Sequence, residues 1–171
     1  MKKVLIPVDG TKGTRDIFSV FSRMIRPAEE VILLHVQQLG GKTLMLDMLG
    51  DAELETLKES LQETPFKERL DAQAHKILEH YKAKVEAGGH QKVRTIIREG
   101  IPAKEILKVA EDEGVDLIIM GCNGKKGLER LVSGCSTKDV ERGAQVPVLV
   151  AKSGGCAEAA FGWGGEVYAA R

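Results

Sequence analysis

The residue types best suited to chemistry cluster in the last third of the chain. Gly121, Gly124, Gly127 and Gly134 punctuate a segment that also holds Lys125, Lys126, Ser136 and Thr137, and it starts where the apolar run Leu117 to Met120 ends. Glycine lets backbone N–H groups approach an anion closely, and a helix starting near Gly134 would turn its positive dipole end toward a phosphate. The hydroxyls of Ser136 and Thr137 could donate to that anion, and Lys125 or Lys126 could neutralise its charge. Phosphate binding is the chemistry implied; a glycine-rich turn with no ligand stays open on spacing alone. Asp9 is the second candidate. A carboxylate closing the first apolar run could meet a ribose hydroxyl, or a phosphate-bound Mg²⁺ through water, or could simply cap the turn at Gly10 and Thr11.

Such groups need a frame that brings distant turns together. Apolar runs rich in branched residues recur at Val4 to Val8, Val31 to Val36, Val93 to Ile97, Val115 to Met120 and Val148 to Val150. Each is too short for a helix and reads as a buried parallel strand. Helical patterns separate them: Ile17, Phe18, Phe21, Met24 and Ile25 share one face, as do Leu70, Ala74, Ile77, Leu78, Tyr81 and Val85. A third helix is predicted after Pro102, with Ile106, Leu107 and Ala110 inward, and Gly88, Gly89 and Gly114 act as stops. The fold class expected is α/β: a single doubly wound, open five-stranded parallel sheet of order 3-2-1-4-5 with helices on both faces. Ligands of such sheets sit outside the carboxyl ends of the strands at the topological switch point, which singles out the turns after the first and fourth strands.

Composition narrows the function classes. The 171 residues carry 25 basic and 25 acidic side chains, so no global attraction to nucleic acid or anionic membrane is implied. An aromatic content of 4% argues further against a base-stacking platform. No apolar run approaches the roughly 20 residues of a membrane span, and Pro7 and Asp9 interrupt the first run too early for a signal peptide, so a cytoplasmic protein is expected. Cys122, Cys135 and Cys156 have no metal-ligand spacing, and His35, His75, His80 and His90 show no paired helical spacing; no protein metal site is expected.

With these residues in view, the chain resembles the universal stress proteins. The carriers are the opening from Val4 through Pro7, Val8, Asp9, Gly10 and Thr11, the strand ending Leu34, His35, Val36, the turn Glu99, Gly100, Ile101, Pro102, Ala103, and the spacing Gly121-x2-Gly124-x9-Gly134. The resemblance covers residues 1–152, taken as a nucleotide-binding domain with an insertion at about 39–64, and leaves a Gly/Ala-rich tail at 153–171. It implies ATP, ADP or AMP as ligand, with Mg²⁺ bound through the phosphates. It places Pro7, Val8, Asp9 and Val36 around adenine and ribose with Met120 and Gly121 beside them, and gives the phosphates to Gly124, Gly134, Ser136 and Thr137. Cys135 stands where the family signature has Ser or Thr. Its backbone N–H survives, but replacing a hydroxyl donor by a thiol costs about 0.5–1.5 kcal/mol.

The expected output is nucleotide-dependent regulation in a stress response, with at most slow ATP hydrolysis, because no nucleophile-and-base pair, magnesium carboxylate pair or arginine finger is assignable from spacing. An enzyme of the adenylate-forming or ATPase type would need a convergent substrate pocket that the sequence does not show. The alternative from another class is a nucleotide-independent dimeric interaction protein. Val146 to Val150 reads as an edge strand that tolerates Pro147 and invites pairing, and the resemblance implies a homodimer through it. The insertion, with Leu44, Met45, Leu46, Met48 and Leu49 and a short helix carrying Leu54, Leu57 and Leu61, offers a lid or partner surface or a plain packed extension. The tail, with Phe161, Trp163 and Tyr168, reads as a disordered end or as an added strand.

Overall fold

A computed structural model describes residues 2–10, 14, 17, 28–37, 50, 52–53, 56, 64–89, 92–121 and 136–151. Its strands are β1 (Lys3–Pro7), β2 (Glu30–Gln37), β3 (Val93–Glu99), β4 (Leu117–Gly121) and β5 (Val148–Ala151). Its fully described helices are α1 (Pro65–Ala87), α2 (Pro102–Asp112) and α3 (Ser136–Gly143). The strands form one sheet of order β3-β2-β1-β4-β5, and every neighbouring pair is parallel.

A parallel sheet is covered on both faces, so its central strands are apolar throughout instead of alternating. Val4, Leu5 and Ile6 of β1, Val31 to Leu34 of β2 and Ile118 and Ile119 of β4 are all fully buried. Alternate residues divide between two cores. Val4, Ile6, Val31, Leu33 and Ile119 pack with Ile17 and with Leu78, Tyr81 and Val85 of α1. Leu5, Ile32, Leu34, Ile118 and Met120 face Ala103, Ile106, Val109 and Ala110 of α2 and Val140 of α3. Helices therefore cover both faces, as the sequence pattern predicts.

Local signals set the helix ends. Thr64 caps α1 by accepting the Lys67 N–H at 3.3 Å, and Pro65 occupies the first turn, where its missing N–H costs nothing. Gly88 closes that helix through its N–H to Lys84 O, and Gly114, at φ +57°, takes the left-handed turn after α2. Leu107, expected inward, is only partly buried. Its Cδ1 lies 2.6 Å from where a Cβ on Gly143 would stand, so α2 and α3 approach closely because Gly143 has no side chain.

Two strand ends fall short of the predicted runs, while β2, β3 and β5 run one or two residues past theirs. β1 stops at Pro7, and Val8 N–H makes one last bond to Leu34 O at 2.8 Å before the chain turns. β4 begins at Leu117, because Val115 N–H bonds Ala110 O and Asp116 Oδ2 accepts the N–H groups of Lys2 and Lys3. At the same amino end of the sheet, nearly buried Glu30 accepts from Lys92 Nζ at 3.0 Å and Arg94 Nε at 2.6 Å, and Arg94 also pairs with Glu113.

Of the insertion, Ala52, Glu53 and Thr56 are helical and exposed, and Thr56 Oγ1 donates to Ala52 O as a helical residue can. The apolar residues expected there, the face Phe18, Phe21, Met24 and Ile25, and the tail 153–171 lie outside the described residues.

Candidate functional site

The sheet opens at one place. The β1–β2 ladder runs to Pro7–Leu34 and the β4–β5 ladder to Gly121–Ala151, each reaching the end of its strand. Between β1 and β4 the paired residues are Val4–Leu117 and Leu5–Ile118, while β1 continues to Pro7 and β4 to Gly121. From β1 the chain goes on to β2 on one side of this gap and from β4 to β5 on the other, and that reversal of strand order makes the gap the switch point of the fold.

The carboxyl ends of β1, β2 and β4 carry the expected adenine and ribose residues. Pro7, Val8 and Asp9 leave β1, Val36 sits near the end of β2, and Met120 and Gly121 end β4. Their side chains do not share one surface. Val8, 3% exposed, packs in the core on the α1 face, whereas Met120, 6% exposed, and partly buried Val36 belong to the α2–α3 face.

The turn after β1 is tightly held. Val8 C=O accepts from His35 Nδ1 at 2.8 Å, and Asp9 N–H donates to Thr14 Oγ1 at 3.0 Å, so both polar atoms of the Val8–Asp9 peptide are bonded to side chains from other parts of the fold. Thr14 Oγ1 in turn donates to Asp9 Oδ1 at 2.5 Å, a length usual for a charge-assisted O–H···O⁻ bond. The turn-capping partner of Asp9 thus includes Thr14, five residues on.

On the β4 side, α3 starts at Ser136, and Thr137 Oγ1 lies 3.5 Å from Gly121 O, the outer limit of a hydrogen bond. That contact sets the amino end of α3, where a helix leaves its first N–H groups without an intrahelical partner, beside the end of β4. Gly124, Gly134 and Cys135 lie outside the described residues, as do Lys125 and Lys126.

A charged cluster that sequence reasoning missed occupies the neighbouring strand ends. Lys67 Nζ donates to Gln37 Oε1 at 2.9 Å, to Asp71 Oδ1 at 2.7 Å and to Glu99, and Gln37 Nε2 donates to Asp71 Oδ1 at 2.9 Å. Burial pulls the Lys67 ammonium down, but hydrogen bonds to Asp71 and Glu99 outweigh it and the net shift is upward. Lys67, against partial burial, holds Asp71 below the usual carboxylate range, with help from Gln37. All three protons of the ammonium are spent, so the cluster anchors the first turn of α1 to β2 and β3. The Lys67–Asp71 spacing of four was visible in sequence; the partners on the strands were not. Among the described residues no group of three or more His, Cys, Asp or Glu side chains is arranged to hold a metal ion. Nor is any described helix long and apolar enough to cross a membrane.

The family model of the Universal stress protein family matches residues 1–152. The chain belongs to the universal stress protein family. It is 39% identical over 156 residues to the universal stress protein MJ0577 of Methanocaldococcus jannaschii, spanning 88% of this chain and 94% of that protein. A solved structure of MJ0577 matches this universal stress protein with a TM-score of 0.66 at 35% identity, covering 89% of this chain and 96% of that one. Two more distant crystal structures share the fold. One is a universal stress protein in complex with cAMP, at 16% identity and a TM-score of 0.59 over 87% of this chain and 94% of that one. The other is an Arabidopsis thaliana family member with AMP bound, at 18% identity and a TM-score of 0.57 over 89% and 92%.

Proposed function

We propose that this universal stress protein binds an adenine nucleotide in the crevice between the carboxyl ends of β1 and β4 and acts by occupancy, as a nucleotide-dependent regulator in a stress response. The observation that carries this reading is the early end of the β1–β4 ladder, since a switch-point gap is where open α/β sheets take their ligands. The cAMP and AMP found with two proteins of the same fold favour an adenine nucleotide. Pro7, Asp9 and Val36 border adenine and ribose, with the backbone of Val8, Met120 and Gly121 shaping the crevice. The glycine spacing ending at Gly134, the N–H of Cys135 and the hydroxyls of Ser136 and Thr137 receive the phosphates at the start of α3. ATP, ADP and AMP all fit this donor set, and Mg²⁺ accompanies the phosphates. Hydrolysis is slow at most. Residues 1–152 form the nucleotide-binding domain, and the protein works in the cytoplasm.

The test is mass identification of small molecules released when the purified protein is denatured. An adenine nucleotide in stoichiometric amount is the expected result. Repeated release of a different ligand class would remove the proposal.

A second reading, a nucleotide-independent dimer, is favoured by one observation: β5 is an edge strand whose Val148, Leu149 and Val150 are only partly buried, with Pro147 exposed just before it. A homodimer through residues 146–150 is compatible with both readings; the insertion and the tail are the further surfaces for a protein partner. Gly134→Asp separates the two, because a carboxylate at the phosphate site repels nucleotide and leaves dimerisation untouched.

A further inference from the structure

We infer that Thr14 is a positioning residue for Asp9, fixing the carboxylate in the orientation that a nucleotide meets. The inference rests on the proposed nucleotide reading and concerns a residue that touches Asp9 and need not touch the ligand. Thr14 is 3% exposed, one of three buried polar or charged residues among the described residues, with Glu30 and Gln37. Its hydroxyl has one proton, and that proton goes to Asp9 Oδ1 at 2.5 Å, while an oxygen lone pair receives the Asp9 N–H at 3.0 Å. One side-chain atom thus binds Asp9 at both its backbone and its carboxylate.

The consequence is a loss of freedom where it matters for binding. The Val8–Asp9 peptide cannot turn without breaking the His35 Nδ1 bond to Val8 C=O or the Thr14 bond to Asp9 N–H. The carboxylate cannot rotate without losing the Thr14 proton. A carboxylate already held in place spares a ligand the entropy of ordering it. Threonine's branched Cβ leaves a helical residue two χ1 settings, so few alternatives compete with the one that meets Asp9.

The experiment is nucleotide titration by calorimetry, with melting temperatures, on the full chain and on Thr14→Val, Thr14→Ser, Asp9→Ala and the double variant Asp9→Ala with Thr14→Val. Thr14→Val keeps the shape and removes the hydroxyl; it is expected to weaken ATP binding about tenfold, the scale of one hydrogen bond. Thr14→Ser keeps the hydroxyl and should stay within about threefold of the natural protein. In the Asp9→Ala background, Thr14→Val should change affinity no further, because the group it positions is gone. A purely structural Thr14 gives another pattern: the two losses multiply, and affinity follows melting temperature. That pattern overturns the inference, as does unchanged affinity in Thr14→Val. If Thr14→Val melts too early to titrate, Thr14→Ala carries the same comparison with the same expected tenfold loss. Binding by the natural protein that is insensitive to Asp9→Ala overturns the Thr14 assignment and leaves the nucleotide reading standing; no binding by the natural protein removes both.

Discussion

His35 Nδ1 donates to the backbone carbonyl of Val8 at 2.8 Å, joining the end of β2 to the turn that follows β1. A carbonyl only accepts, so the proton must sit on Nδ1, and the ring nitrogen Nε2 is an acceptor whenever the imidazole is neutral. Nitrogen-15 spectra should show His35, in its neutral form, as the Nδ1–H tautomer. His35→Leu leaves a carbonyl without this donor and should cost about 1–2 kcal/mol of stability by denaturant titration, with weaker nucleotide binding because Val8 and Asp9 lose an anchor.

Cys135 gives a prediction of opposite sign. Serine at this position restores a hydroxyl donor beside the proposed phosphate site. Cys135→Ser is expected to tighten ATP binding by about 0.5–1.5 kcal/mol, roughly two- to tenfold, by calorimetry. Equal or weaker binding would show that the side chain at 135 does not reach the phosphates.

The acid limb of stability should carry the mark of Glu30. Its carboxyl is held below the usual range by the hydrogen bond from Lys92 and then Arg94, against the opposing effect of burial. A carboxylate with a lowered folded-state pKa stabilises fully above its unfolded pKa and loses that contribution as pH falls through the folded value. Melting temperature should therefore drop as pH falls below about 4.5. Glu30→Gln should be less stable at pH 7 by about 1–2 kcal/mol and show a shallower acid slope. An unchanged slope would assign the acid limb to other carboxylates, Asp71 among them.

Lys67 acts at the other end of the pH scale. A raised pKa means that its contribution is complete below about 10.5 and fades as pH rises through the folded value. Lys67→Met keeps the apolar stem and strips the charge from Gln37, Asp71 and Glu99. The loss expected is about 1–3 kcal/mol, reduced from the fully buried case because Asp71 is 42% exposed and Glu99 25%. The variant should also lose the alkaline fall in stability that Lys67 causes in the natural protein, which a melting series from pH 8 to above 11 would reveal.

Gly100 stands at φ +144°, a conformation L side chains rarely adopt, and its N–H bonds Gln37 O at 3.0 Å. A Cβ there would meet Glu105 at 3.3 Å. Gly100→Ala should destabilise by about 1–3 kcal/mol on chemical denaturation, through backbone strain.

The sequence reveals the sheet well because its central strands are buried on both faces and so read as uninterrupted branched apolar runs; Val31 to Leu34 is the clearest case. Helix faces are legible at Ala74, Leu78, Tyr81 and Val85 for the same reason, a period of 3.6 imposed by one core. Strand ends are less so. Val115 looks like strand by type, yet its N–H closes the turn after α2, a choice made by backbone bonding and invisible in residue type. At the site, Asp9 is readable from its place after the first strand, but Thr14 is not, since a single threonine near a glycine turn resembles any surface residue until the fold buries it. The Lys67 cluster is hidden differently: its partners Gln37 and Glu99 come from two strands whose approach depends on tertiary packing.

Whether the gap between β1 and β4 takes an adenine nucleotide is read by calorimetric titration of the natural protein with ATP and ADP in the presence of Mg²⁺. Saturable heat with a dissociation constant in the micromolar range or tighter is predicted. No heat at millimolar nucleotide, from protein shown to be free of bound ligand, would remove nucleotide binding and put the edge-strand dimer in its place.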